Sequence, residues 1–169
     1  IPNSYEFFWN VSPADFQKRM HTEFLKFWNQ KRLSRAKEIN LTPVQVSILA
    51  SIVKKESSVE KERPIIAGVY MNRLNKKIKL QADPTVIYSI KQKNKNFNKI
   101  IKRVLYKDLD IDSKYNTYKY LGLPPGPICM PDISSIEAVL NFKRHDYLYF
   151  VANPNKPGHH SFSRTLKEH

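Results

Sequence analysis

Apolar residues recur at helical spacing in the first half of the chain and give way to short, interrupted runs in the second. Ser12-Pro13 is a helix opening, with Ser as the cap and Pro at the first helical position. Phe16, Met20, Phe24 and Phe27 then repeat every three to four residues, which predicts one apolar helical face reaching about Trp28. The basic stretch 30–38 either continues that helix or links it to the next. Thr42-Pro43 repeats the opening signal and predicts a second helix to about Ser57. Arg63-Pro64 begins a third, with Ile65, Ile66, Val69, Tyr70 and Leu74 facing inward, and Asp83-Pro84 begins a fourth with Asp83 as its cap. Residues 1–11 are aromatic-rich and read as a strand or docking arm.

The second half breaks this pattern. Ile100 to Leu105 is apolar but brief, and Tyr115-Asn116-Thr117-Tyr118 reads as extended. The run from Gly122 to Pro127 holds three prolines that lack N–H donors, so it must be a stiff loop. Ser134-Ser135-Ile136-Glu137 is a capping box that opens a short helix. Tyr147 to Val151 reads as a buried strand, and His160 to Ser163 is placed to pair with it across a turn at 153–158. Helices followed by strands predict an α+β fold: N-terminal helices packed with a small, mainly antiparallel sheet and a rigid Pro/Gly loop, as one domain over residues 1–169.

Composition narrows the function. In 169 residues, 41% hydrophobic and 26% charged positions support a packed core and exclude global disorder. No run approaches the roughly 18 apolar residues a membrane span needs. The chain opens Ile-Pro-Asn rather than with Met and is expected to be an excised piece of a longer protein. Lys and Arg number 29 against 15 Asp and Glu, a formal charge of +14. Net charge governs association rather than fold. Much of the excess lies in residues 31–37 and in the Lys/Asn-rich run 91–103. Without an RNP pattern, zinc-finger spacing or clear helix-turn-helix, it reads as a basic surface facing anionic polymers or lipid head groups, not nucleic acid.

Cofactor chemistry finds no motif. The single Cys129 cannot form an internal disulfide or a CxxC site. Only four glycines occur, and none builds a phosphate-cradling loop. His159 and His160 are adjacent, so on a strand they would point to opposite faces and could not share a metal. Neither a metal nor a cofactor is expected.

One acidic residue does stand out. On a helical wheel of the second helix, Leu49 and Gln45 lie about 20° from Glu56, Ile52 about 40° and Val53 about 60°, while Lys54 is about 160° away. Glu56 therefore shares the apolar stripe at the helix's C-terminal end. Both burial and the helix dipole there disfavour a carboxylate and raise its pKa. That is how a protein makes a carboxylic acid able to donate a proton near neutral pH. The plainer reading is a helix-end glutamate that bends out to solvent.

Longer blocks go further. Leu49 to Glu56, Glu62-Arg63-Pro64, Asn72-Arg73-Leu74, Leu80 to Tyr88, Tyr115 to Tyr118, Gly122 to Ile128, Asp146 to Val151 and Gly158 to Phe162 occur in this order over nearly the whole chain. Together they closely resemble the endolytic murein transglycosylase (YceG-like) family. The resemblance implies a bacterial peptidoglycan lytic transglycosylase that cuts glycan strands between MurNAc and GlcNAc, acting in cell-wall assembly, with peptidoglycan and cell-wall synthases as partners. It implies a single-pass anchor in the inner membrane and a LysM-like region, both upstream of Ile1, with the catalytic domain on the periplasmic face. It places the catalytic glutamate on Glu56, and Gln81, Asp83, Thr85, Tyr88, Asn116 and Tyr118 are expected to contact substrate. Lys54 stands where many relatives have an acid, and Ala82 where a threonine is common. The other readings are a muramidase-type hydrolase with Asp83 as second carboxylate, and a non-catalytic peptidoglycan-binding module.

Overall fold

The computed structural model describes residues 2–169, so Ile1 of the expected N-terminal arm lies outside the described residues. Each opening signal in the first half begins a helix. Helix α1 spans Pro13–Phe27, with Ser12 Oγ accepting from the Asp15 N–H. Helix α2, Gln30–Glu38, is a separate element because the Asn29 side chain caps it anew at Arg32 N. Helix α3, Pro43–Glu56, starts from a reciprocal capping box between Thr42 and Gln45. Helix α4 covers Arg63–Asn75 after a short 3-10 turn at Glu60–Glu62, and α5 covers Asp83–Lys93. Helix α6, Ile133–Leu140, is capped by Asp132, which accepts from Ser135 N, two residues before the cap expected from sequence.

The core forms around α3. Val46, Leu49, Ala50, Ile52 and Val53 are fully enclosed. They pack against α4 and α6, with α2 and α5 on the flanks. Burying each large aliphatic side chain contributes about 1.5–3 kcal/mol, so this helix anchors the domain. Strands β1 (Tyr149–Ala152) and β2 (His160–Ser163) form a two-stranded antiparallel sheet, Tyr149 opposite Ser163 and Ala152 opposite His160. The fold is α+β, as the pattern predicted. A loop segment clips the sheet to α4: Asn72 Nδ2 donates to the carbonyls of His145 and Tyr147, Arg73 Nε to that of Leu148, and Lys143 N to that of Pro64.

Several local expectations give way to tertiary effects. The α1 stripe exists but is poorly covered: no α1 residue is fully buried, and Phe16 is 48% exposed. The strand at 149–152 is only half-buried, because a two-stranded ribbon has a core on one face alone; Phe150 and Phe162 pack inward while Val151 faces out. Residues 2–11 form no strand. Residues 115–118 are tight turns rather than extended chain, since Asn116 N donates to Ser113 O and both Lys119 N and Tyr120 N donate to Asn116 O. The Pro/Gly segment is irregular as expected and is seated on α3 by Ile128 N donating to the buried Ser51 Oγ.

Candidate active site

Glu56 is the last residue of α3, beyond the fully enclosed stretch that fixes the helix. It stays on the apolar stripe instead of bending away, and opens onto a cleft of about 370 Å³. Tyr70, from the middle of α4, is 1% exposed and donates its hydroxyl to Glu56 Oε1 at 2.5 Å. Burial drives the Glu56 pKa up to about 7; the Tyr70 hydrogen bond opposes this, nearby Asp83 adds to it, and Arg73 pulls it down. The outcome follows the general rule that enclosure penalises a carboxylate more than one hydrogen bond relieves it. Tyr70 itself is pushed well above the usual phenol value, so it remains a donor at neutral pH.

Arg73 lies one turn beyond Tyr70 on α4 and is almost wholly enclosed. Its guanidinium donates to the carbonyls of Leu148, Lys79 and Leu80 and to Gln81 Oε1, and lies 5.2 Å from the Tyr149 ring centre. It thereby joins α4, the segment leading to α5, and the sheet. Gln81 holds a left-handed backbone (φ 51°) on the cleft wall, its N–H given to Thr117 O. A non-glycine residue in that region carries strain that its surroundings must hold in place. Asp83 is the first residue of α5 and not its cap, which is Ala82. Its carboxylate instead accepts from the Tyr118 hydroxyl at 2.6 Å. That charge, after burial, raises the Tyr118 pKa.

The structure thus brings Glu56, Gln81, Asp83 and Tyr118 to one cleft, with Tyr70, Arg73, Tyr149, Phe150 and His160 around them. Three other residues expected at substrate lie elsewhere. Thr85 is fully enclosed, donating to Ala82 O and sharing a 2.9 Å hydroxyl contact with Thr117. Asn116 is also fully enclosed; its amide donates to Leu109 O and Ile111 O, and its carbonyl oxygen accepts from Tyr118 N. Both pin the turn that carries Tyr118 to the start of α5. Tyr88 packs on Tyr115 and Phe97 and faces a second cavity beside Lys55 and Lys91. Polar residues inside rigid motifs therefore divide into those that meet the cleft and those that hold its walls, a distinction that sequence spacing does not carry.

Tyr70 and Arg73 were legible only as an inward helix position and part of a motif. Their three-residue spacing places them on one helix face, and a buried Arg beside a buried Tyr is a polar pair that packing alone would not call for.

This is an α+β domain with a carboxyl of raised pKa set in an open cleft that Tyr70, Tyr118, Tyr149 and Phe150 help to wall. The chain belongs to the YceG-like family, whose model matches residues 1–169. It is 46% identical over 136 residues to the endolytic murein transglycosylase of Bacillus subtilis (strain 168), covering 80% of this chain and 35% of that protein. It is 38% identical over 120 residues to the endolytic murein transglycosylase of Streptococcus pneumoniae serotype 2, covering 71% of this chain and 21% of that protein. The chain therefore spans between a fifth and about a third of these relatives' length. A crystal structure of a yceG-like protein from Listeria monocytogenes superposes with a TM-score of 0.81 at 37% identity, over 99% of this chain and 52% of that one.

Proposed function

We propose that residues 1–169 form the catalytic domain of an endolytic peptidoglycan lytic transglycosylase, with Glu56 as its acid and base. The observation that carries this reading is the state of Glu56: a carboxyl with its pKa raised to about 7, held by Tyr70 at the floor of an open cleft. The similarity to two endolytic murein transglycosylases supports it.

The chemistry needs only one such group. Protonated Glu56 gives its proton to the glycosidic oxygen as the bond from MurNAc C1 to that oxygen breaks. The C6 hydroxyl of the same MurNAc then bonds to C1, and its proton passes to the Glu56 carboxylate, restoring the acid. The sugar closes a 1,6-anhydro ring and no water is consumed. A glycosidase that uses water or an enzyme nucleophile requires two working carboxylates, whereas intramolecular capture replaces the second with a hydroxyl already in place. Tyr70 stabilises the carboxylate formed midway, and a pKa near the working pH suits a group that must give and then take a proton.

The extracytoplasmic location, the membrane anchor outside this chain and cell-wall synthases as partners belong to the same proposal. The test is digestion of purified peptidoglycan with mass analysis of the new ends. Anhydro-MurNAc ends, about one water lighter than hydrolytic ends, support the proposal; reducing MurNAc ends make the enzyme a muramidase, and no cleavage leaves a binding module.

A further inference from the structure

Glu62, His159 and His160 form a partly buried polar cluster that the Glu56 chemistry leaves unused. Glu62, in the 3-10 turn before α4, is 9% exposed. Its Oε1 accepts from His159 Nδ1 at 2.9 Å and from the His160 backbone N–H at 3.2 Å, and its Oε2 accepts from His160 Nδ1 at 2.9 Å. The two adjacent rings, expected on opposite faces, reach the same carboxylate because β2 begins only at His160, leaving His159 in the turn. These bonds outweigh burial and hold the Glu62 carboxyl below its ordinary value. An ionised carboxylate only accepts, so each ring must carry its hydrogen on Nδ1.

That fixes what His160 can present. His160 also lines the cleft that holds Glu56, and its ring stands edge-on to Phe150, which in turn meets Tyr70 edge-on. With Nδ1 committed to Glu62, the neutral ring has one remaining polar atom, Nε2, and in this tautomer it accepts. A carboxylate that orients an imidazole through Nδ1–H is a recurrent way of aiming Nε2. The Asn72, Arg73 and Lys143 bonds already tie the segment before β1 to α4, and β2 is paired to β1, so two histidines spent on one enclosed carboxylate exceed what attaching the sheet needs.

We infer that His160 is a second substrate-contacting residue, whose Nε2 accepts a hydrogen bond from a pyranose ring of the glycan at the sheet side of the cleft, and that Glu62 is the positioning residue that sets its tautomer. This rests on the function proposed above. It makes the sheet a wall of the site, with Glu56 and Tyr70 supplied by helices and His160 by β2.

The test separates the two ring nitrogens. Asn reproduces the reach of Nδ1 and Gln that of Nε2, so His160→Asn keeps a donor to Glu62 and loses the cleft atom. Cleavage of glycan strands by the wild-type chain, His160→Asn, His160→Gln and Glu62→Gln is followed with thermal unfolding of each. Hydrogen bonds of a positioned substrate group carry about 10–100-fold in turnover. The expected result is that His160→Asn unfolds near the wild-type temperature yet loses about 10–100-fold in kcat/KM, with partial recovery in His160→Gln and an intermediate loss in Glu62→Gln. Retention of glycan strands by the non-turning Glu56→Gln chain should weaken when His160→Asn is added. A His160→Asn chain that is stable and cleaves and binds like wild type overturns the inference while leaving Glu56 chemistry standing. A wild-type chain that neither cleaves nor binds glycan overturns both.

Discussion

The Tyr70 hydroxyl and Glu56 Oε1 meet at 2.5 Å although the residues come from different helices, α4 and α3. Tyr70 stabilises the charged form of an acid whose enclosure disfavours that form. Tyr70→Phe keeps the ring and removes only that bond. The Glu56 pKa should then rise above its value of about 7, by about one to two units, since a hydrogen bond to a charged group is worth about 1.5–3 kcal/mol. A pH–rate profile of peptidoglycan cleavage should show the alkaline limb displaced upward and the maximum rate lowered. A limb that does not move means Tyr70 holds structure alone.

Glu56→Gln should abolish turnover, by about 10²–10⁴-fold or more, because Gln keeps the shape but cannot carry the proton. It should also reveal the cost of the native acid. A carboxyl whose folded pKa is raised from 4.5 to about 7 opposes folding in its charged form. That penalty is absent below pH 4.5, grows through the interval, and is fully present above about 7. Thermal unfolding should therefore show the variant more stable than wild type at pH 8 and no more stable at pH 4.

Gly68→Ala in α4 tests how closely the segment after α6 is pressed on that helix. A Cβ at Gly68 would stand 2.4 Å from the backbone oxygen of Lys143 and 2.6 Å from His145 Nε2. The helix-propensity gain of about 1 kcal/mol is outweighed by a clash with backbone, and such overpacking typically costs about 1–3 kcal/mol. Chemical denaturation should report a net loss of stability. Because 143–148 carries the carbonyl that Arg73 holds, catalysis should fall as well.

Asp132 joins three elements: it caps α6, accepts from Arg63 at 3.2 Å and lies 3.3 Å from Lys54 Nζ. Hydrogen bonds from Ser135 and Ser134 and the Arg63 charge overcome burial and hold its carboxyl well below the usual carboxylate range. Stability drawn from this group is present above its unfolded value of 3.8 and is lost as pH falls below it. Asp132→Ala should cost about 1–2 kcal/mol at pH 7, the usual loss of an N-cap, and the cost should shrink at pH 2. Denaturation curves at the two pH values measure the difference.

The helices were legible because their signals are local. Ser12, Thr42 and the prolines at 13, 43, 64 and 84 act within one turn, and the Glu56 stripe is a property of α3 alone. For the same reason sequence reasoning singled out Glu56 before any tertiary contact was known. What it could not settle was which partner each polar side chain would meet. Asn116 and Thr85 turned inward to bond neighbouring backbone, Asp83 gave up capping for Tyr118, and Glu62 gathered both histidines. These pairings span 3 to 98 residues, and the long ones are fixed by how α4, α5 and the sheet settle on α3. A buried polar group must find a partner wherever packing leaves it, and periodicity carries no record of that distance.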